Sequence, residues 1–247
     1  ASLFECLETL HSATNGEIDV YDDPLIRNIG RFITRVQISD RYFVNFADAA
    51  ALVSPSPFLV YRYGKRIDDS SMMQMGTYFG QQGDVATRGV SDSIARQIPA
   101  LLSITELLEA DPRQPLPRDT WLPDIQVMTA RDQAGTSDGV YVAAKGGHNA
   151  ESHNHNDVGH CIVYFDGKPV IIDAGVETYT GKTFSPERYD IWTMQSAYHS
   201  LPTINGVMQA AGPTYTAKEL VYAQDDAQAT FTADIAGAYP DVAGITS

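Results

Sequence analysis

Apolar residues recur at three- and four-residue spacing through the first part of the chain and at alternating positions through the last. Helices followed by strands are therefore expected. Leu3, Phe4, Leu7 and Leu10 begin the helical pattern. Asp22-Asp23-Pro24 then supplies an acidic cap and a first-turn proline for a second helix, whose apolar face would be Leu25, Ile29, Phe32, Ile33 and Val36. Pro57 opens another helix through Phe58, Val60 and Tyr61, and Met72-Met73-Gln74-Met75 reads as helix packing. The clearest stripe lies between Ser91 and Ala110: Ile94, Ile98, Leu101, Leu102, Ile104, Leu107 and Leu108, with Pro99 as a kink point.

The pattern breaks at Asp111-Pro112-Arg113-Gln114-Pro115-Leu116-Pro117, where the prolines stop helix formation. Beyond it, 125–130, 139–144, 161–165 and 168–173 read as strands. The last two flank Asp166-Gly167, a hairpin signal, and a two-residue turn there puts His160 opposite Asp173. This order predicts an α+β chain with a helical domain over 1–116 and an antiparallel sheet domain of six to eight strands over 117–247. The helical pattern at Ala1 and the weak alternation from Ala229 to Ser247 suggest a piece of a longer chain.

Composition narrows the function. With Asp and Glu outnumbering Lys and Arg by 31 to 17 and a net charge of −14, a general nucleic-acid binder is excluded. The same balance makes an enzyme for acidic polymers depend on clustered cations, from Arg, Lys or a metal. No run of eighteen apolar residues spans a membrane, and the start carries no signal-peptide pattern. Cys6 and Cys161 lie far apart and are expected as buried free thiols.

Five of the six histidines fall between 148 and 199, most densely in Lys145-Gly146-Gly147-His148-Asn149-Ala150-Glu151-Ser152-His153-Asn154-His155-Asn156-Asp157. Imidazole is the commonest metal ligand, and His-x-His in extended chain sends both rings to one side. Flanking Gly-Gly, Asn, Ser and Asp count against a merely solvated loop. Zinc takes three or four N, S or O ligands, often from distant segments. The nearby candidates are His153, His155, Asp157, His160, Asp173 and His199, and periodicity does not choose among them.

The stretches His153-Asn154-His155-Asn156-Asp157-Val158-Gly159, Gly167 to Gly175, and Tyr198-His199-Ser200 ending in Asn205-Gly206 resemble the signature of heparinase II/III-like polysaccharide lyases. Asn45-Phe46-Ala47-Asp48 is a looser likeness. The resemblance implies the C-terminal helices of an incomplete α/α toroid followed by an antiparallel β-sandwich. It implies zinc held by a His, an Asp eighteen residues on, and a His some twenty-five beyond that, which maps onto His155, Asp173 and His199. It also implies a substrate-facing catalytic histidine two positions before the first ligand, here His153. Ser200 departs from the Asn that many members carry after the last ligand, which bears on that ligand's surroundings.

The implied activity is β-elimination on a uronic-acid-containing polysaccharide, heparin- or heparan-type or alginate, by a periplasmic or secreted protein. Such a reaction needs the uronate carboxylate neutralised, and a base and an acid. The family's Asn-His pair and Tyr find no match in residues 1–144, where His11 is the lone histidine, so they are expected before Ala1. Arg188 and Tyr189 are candidate contacts to an anionic sugar, with a structural ion pair an equal alternative for Arg188. Lys145 is expected to be solvated, and Tyr179 and Trp192 to be sheet core rather than sugar-stacking rings. The competing functions are a carbohydrate-binding or structural module with a closed zinc site, and a metal-dependent hydrolase with Glu151 as base. Oligomeric state is not legible.

Overall fold

In the computed structural model, which describes residues 1–83 and 94–245, α1 (Ser2–Ala13) buries Phe4. The start of α2 (Pro24–Arg35) follows the acidic-proline signal: the Asp23 carboxylate accepts from the Leu25 N–H, and Pro24 occupies the first turn. Next come α3 (Pro57–Arg66), with Pro57 in its first turn, and α4 (Ser70–Gln82), where Asp69 caps the Met72 N–H. The last helix, α5 (Ile94–Glu109), runs on through Pro99; the start expected at Ser91 lies outside the described residues.

The chain divides into two compact units, residues 1–36 with 54–116 and residues 37–53 with 117–247. In the first, α3 and α4 lie side by side, and Phe58, Tyr61, Ala100 and Leu107 form a buried cluster. Met72 and Met75 are buried, as packing methionines should be. The expected face of α2 is buried only towards its C-terminal end, where Val36 is buried and Ile33 half-buried. Leu25, Ile29 and Phe32 are exposed, whereas Gly30 and Thr34 are buried. The reason is local: the Tyr63 ring lies where a Cβ on Gly30 would come within 3.1 Å of it, and the Tyr63 hydroxyl donates to the Ile26 carbonyl.

The second unit is built on an antiparallel sheet of order β3-β4-β5-β7-β8: β3 (Asp119–Leu122), β4 (Val127–Arg131), β5 (Val140–Lys145), β7 (Cys161–Phe165) and β8 (Lys168–Ile171). Alternation along β5 and β7 turns Tyr141, Ala143, Ile162 and Tyr164 into one core. Three two-stranded sheets accompany it: β1 (Gln37–Ser39) with β2 (Tyr42–Phe43), β6 (His148–Asn149) with β9 (Gly212–Thr216), and β10 (Lys218–Gln224) with β11 (Ala229–Asp234). From Asp119 onward this gives nine strands among the described residues, more than expected, because pieces as short as His148–Asn149 carry no alternation to read.

Segment 37–53 belongs to the sheet unit rather than to a helical stretch over 1–116. Ile38 joins the core of Tyr141 and Ile162. The buried Arg131 guanidinium donates to the carbonyls of Gln37 (2.7 Å) and Ile38 (3.0 Å), and Ser39 Oγ donates to Gly167 O. The β7–β8 turn forms at Asp166 and Gly167, both with positive φ (47° and 71°), the requirement of a two-residue twisted hairpin turn. Pairing follows the expected register at Phe165↔Lys168 and Tyr164↔Pro169, then slips at Val163↔Ile171. The strand ends remote from this turn carry the polar cluster.

Both cysteines are free, but neither is buried: Cys6 is exposed and Cys161 half-buried, since Cys161 lies on the face of β7 opposite the Ile162 core.

Candidate metal centre

Four backbone segments meet in the sheet unit. His160 immediately precedes β7, and Asp173 lies just beyond β8. His155 sits in the loop between β6 and β7, and His199 follows a 3-10 turn over Ser196–Tyr198. Segment 37–53 supplies Asp48. His155, Asp173 and His199 are all buried, and one ligand atom from each lies within 4.8 Å of the others.

Hydrogen bonds decide which ring nitrogen faces inward. His155 Nε2 lies 3.1 Å from Asp48 Oδ1, and His199 Nε2 lies 3.1 Å from the Thr193 carbonyl. Both partners only accept, so each Nε2 carries the proton and each Nδ1 keeps its lone pair. Those two Nδ1 atoms and Asp173 Oδ2 are buried without a hydrogen-bond partner. Ser200 N–H donates to His160 Nδ1, which puts the His160 proton on Nε2, 3.0 Å from Asp173 Oδ2. His199 Nδ1 is 3.3 Å from the same oxygen. Both contacts are at ion-pair distance but off the hydrogen-bonding direction.

Burial alone would raise the Asp173 carboxyl, yet the facing imidazoles of His160 and His199 outweigh it and hold the group well below the usual carboxylate range. Burial lowers His155 and keeps it neutral, as a ligand must be. Burial also opposes protonation of His199, but Asp173 more than reverses this. Convergent Nδ1, Nδ1 and carboxylate oxygen atoms without hydrogen-bond partners could hold a metal ion, with Asp48, Thr193 O and His160 as the outer partners such ligands need.

His153 differs from His155 in kind. Its backbone is left-handed (φ 57°), so 153–155 is not the extended His-x-His assumed from sequence. A turn at Ser152–His153 leaves the His153 side chain 49% exposed while His155 is fully buried. His153 Nδ1 is 2.8 Å from Asp48 Oδ2, so its Nε2 is the nitrogen left for solvent or ligand. Beside it stand Tyr179 and Phe184, with ring centroids 6.4 Å and 5.4 Å away.

Arg188 is paired with Asp48. Its buried guanidinium donates to Asn154 O, Thr183 O and Asp48 Oδ1, each at 2.8 Å. Tyr189 is half-buried, and its hydroxyl accepts from Asn154 Nδ2 at 2.9 Å. Two expectations need correction. Lys145 is not solvated: it is buried, with Nζ 2.6 Å from Asp157 Oδ1 and 3.2 Å from Glu151, because the last inward position of β5 points it at the loop. Tyr179 and Trp192 are not sheet core either, since they stand in irregular and 3-10 segments and are each nearly half exposed. Glu151, the base that the hydrolase reading requires, is occupied by Lys145 and the His148 N–H.

Sequence reasoning assigned no role to Asp48, which accepts from His153, His155, Tyr179 and Arg188. It also missed the buried Asn149–Gln209 pair, which clamps Val158 through both its N–H and its carbonyl. The signal available for Asp48 was the loose likeness of Asn45-Phe46-Ala47-Asp48.

The family model described as Heparinase II/III-like, C-terminal, matches residues 114–244. No curated protein sequence matches the chain. Among solved structures the chain is similar to the BT4657 gene product, a heparinase III (16% identity, TM-score 0.53, over 84% of this chain and 27% of that one). It is also similar to a heparan sulfate lyase HepC mutant from Pedobacter heparinus (16% identity, TM-score 0.54, over 83% and 27%). At this identity the likeness establishes the fold, mixed helices and antiparallel sheets, and the chain spans 27% of the length of either structure.

Proposed function

Since the chain belongs to the heparinase II/III-like C-terminal family, we propose that it is the metal-holding part of a polysaccharide lyase acting on uronic-acid-containing chains by β-elimination. The observation that carries the reading is the buried trio His155, Asp173 and His199, with its unpartnered ligand atoms, inside the matched residues. On this reading the helical unit forms closing helices of an α/α toroid, the sheets form part of an antiparallel β-sandwich, and the protein acts in the periplasm or outside the cell. Among the described residues no helix is long and apolar enough to cross a membrane.

His155, Asp173 and His199 would hold zinc, which when bound supplies a cross-link among three loops rather than a site open to substrate. Burial of all three ligands favours that closed role over water activation. His153 is the substrate-facing group. Its Nδ1 is fixed by Asp48, so its exposed Nε2 can approach the uronate carboxylate or a transferring proton. Tyr189 accepts from the Asn154 amide, and Arg188 holds the Asn154 backbone that joins the two histidines. The neutralising Asn-His pair and the Tyr implied by the family have no match in residues 1–144, so His153 is this chain's proposed share of the chemistry.

The test is cleavage of heparan, chondroitin, hyaluronan and alginate by the full-length protein. A lyase leaves an unsaturated uronate that absorbs in the ultraviolet as the polymer shortens. Release of reducing ends without that absorbance would sink the lyase reading.

A further inference from the structure

Among the described residues, Asp48 is the carboxylate that touches both histidines of the His153-x-His155 pair. Its Oδ2 receives His153 Nδ1 (2.8 Å) and the Tyr179 hydroxyl (3.0 Å). Its Oδ1 receives His155 Nε2 (3.1 Å) and Arg188 Nη2 (2.8 Å). The side chain is only 4% exposed, so these four donors stand in for water around a buried charge. The segment bearing it is anchored independently: Arg131 grips Gln37 and Ile38, and the Phe46 ring meets His160 edge-on at 5.5 Å.

Resting on the metal reading above, we propose that Asp48 is a positioning residue that fixes the tautomers of His153 and His155 together, aiming Nδ1 of His155 at the metal and Nε2 of His153 outward. A carboxylate offers only lone pairs, so each ring nitrogen facing it must carry the proton. The opposite nitrogen of each ring is then an acceptor. For His155 it is the buried, unpartnered Nδ1 beside Asp173 and His199. For His153 it is the nitrogen on the exposed side. An amide in place of Asp48 would break this logic. Its one oxygen still accepts, but its NH2 would face a ring nitrogen or the Arg188 guanidinium as a second donor.

Two measurements separate this role from a merely structural one. In the metal-free wild-type chain with 15N-labelled histidine, NMR should find His155 and His153 protonated at Nε2 and Nδ1 respectively. Zinc should then move the His155 Nδ1 resonance. A proton on His155 Nδ1 would overturn the proposal even if every variant failed to fold. Next, zinc affinity by chelator competition and the ligand-field spectrum of the cobalt-loaded protein are compared for wild type, Asp48→Asn and Asp48→Glu. The expected result for Asp48→Asn is an affinity loss of about 10- to 100-fold and shifted cobalt bands, with Asp48→Glu recovering part of both.

If Asp48 serves only as the ion-pair partner of Arg188, Arg188→Met will lower the melting temperature as much as Asp48→Asn. Both would then leave the tautomers and cobalt bands unchanged, and the proposal would fail. Absence of any metal binding by wild type would refute the metal reading instead, and the tautomer measurement would still decide the role of Asp48.

Discussion

In the helical unit, Leu25, Ile29 and Phe32 of α2 and Ile98, Leu101 and Leu102 of α5 stand exposed. In the sheet unit, Lys145, His155, Asp157, His160, Asp173 and His199 are all buried. The two units thus invert the usual partition in opposite senses. Exposed apolar residues are common and individually cheap. Buried ionisable residues are costly unless something specific compensates. The sheet unit compensates in part with Lys145–Asp157 and with the partners of Asp48, yet it leaves three convergent ligand atoms without a hydrogen-bond partner. That residual imbalance, rather than the number of histidines, marks a site.

If the contrast is real, substitutions of equal size should differ sharply in effect between the units. The largest loss is expected for Lys145→Ala, which leaves Asp157 buried and unpaired. Denaturant unfolding should register a loss of about 3–5 kcal/mol, and a change below 1 kcal/mol would show that the pair is dispensable. Metal removal should come next. At a free zinc concentration about a hundred times Kd, chelation should cost roughly 2.7 kcal/mol and lower the melting temperature, with the effect absent in His155→Ala.

A smaller effect is expected in the helical unit at Glu8, which accepts from the Tyr21 hydroxyl, Arg62 and Arg66 at 2.6–2.8 Å. Burial pushes the Glu8 carboxyl up, but those donors outweigh it and leave it below its ordinary value. Its contribution is therefore present above the unfolded value of about 4.3 and lost as pH falls through the lower folded one. Glu8→Gln should therefore lower stability at pH 7, with the gap from wild type closing as pH falls below about 4.3, so that the acid limb flattens; an unchanged acid limb would contradict this. Smallest of all should be Leu102→Glu, at a side chain 84% exposed: a change within about 0.5 kcal/mol, read by thermal melting. A loss of several kcal/mol there would mean that the α5 face is covered.

The same contrast explains what the sequence made legible. Helix starts were readable because caps are local: Asp23 and Pro24 act within one turn of each other. The β7–β8 hairpin was readable because Asp166-Gly167 fixes its own turn, and His160 does meet Asp173 despite the register slip. Which face of α2 is buried was not readable, since Tyr63 and Gly30 decide it across a separation that periodicity ignores. The same holds for the partners of the histidines. Asp48 lies more than a hundred residues before His153 and reaches it only because segment 37–53 packs with the sheet unit. The partners of Arg188, the carbonyls of Asn154 and Thr183 and the carboxylate of Asp48, are likewise set by tertiary packing that its sequence neighbours do not announce.

The most direct test of the account is zinc stoichiometry by elemental analysis after loading and exhaustive dialysis, on wild type and on His155→Ala, Asp173→Asn and His199→Ala. The account predicts one zinc per wild-type chain and close to none in each variant, with the variants still folded by circular dichroism. Zinc-free wild type, or variants that retain the full complement, would contradict it.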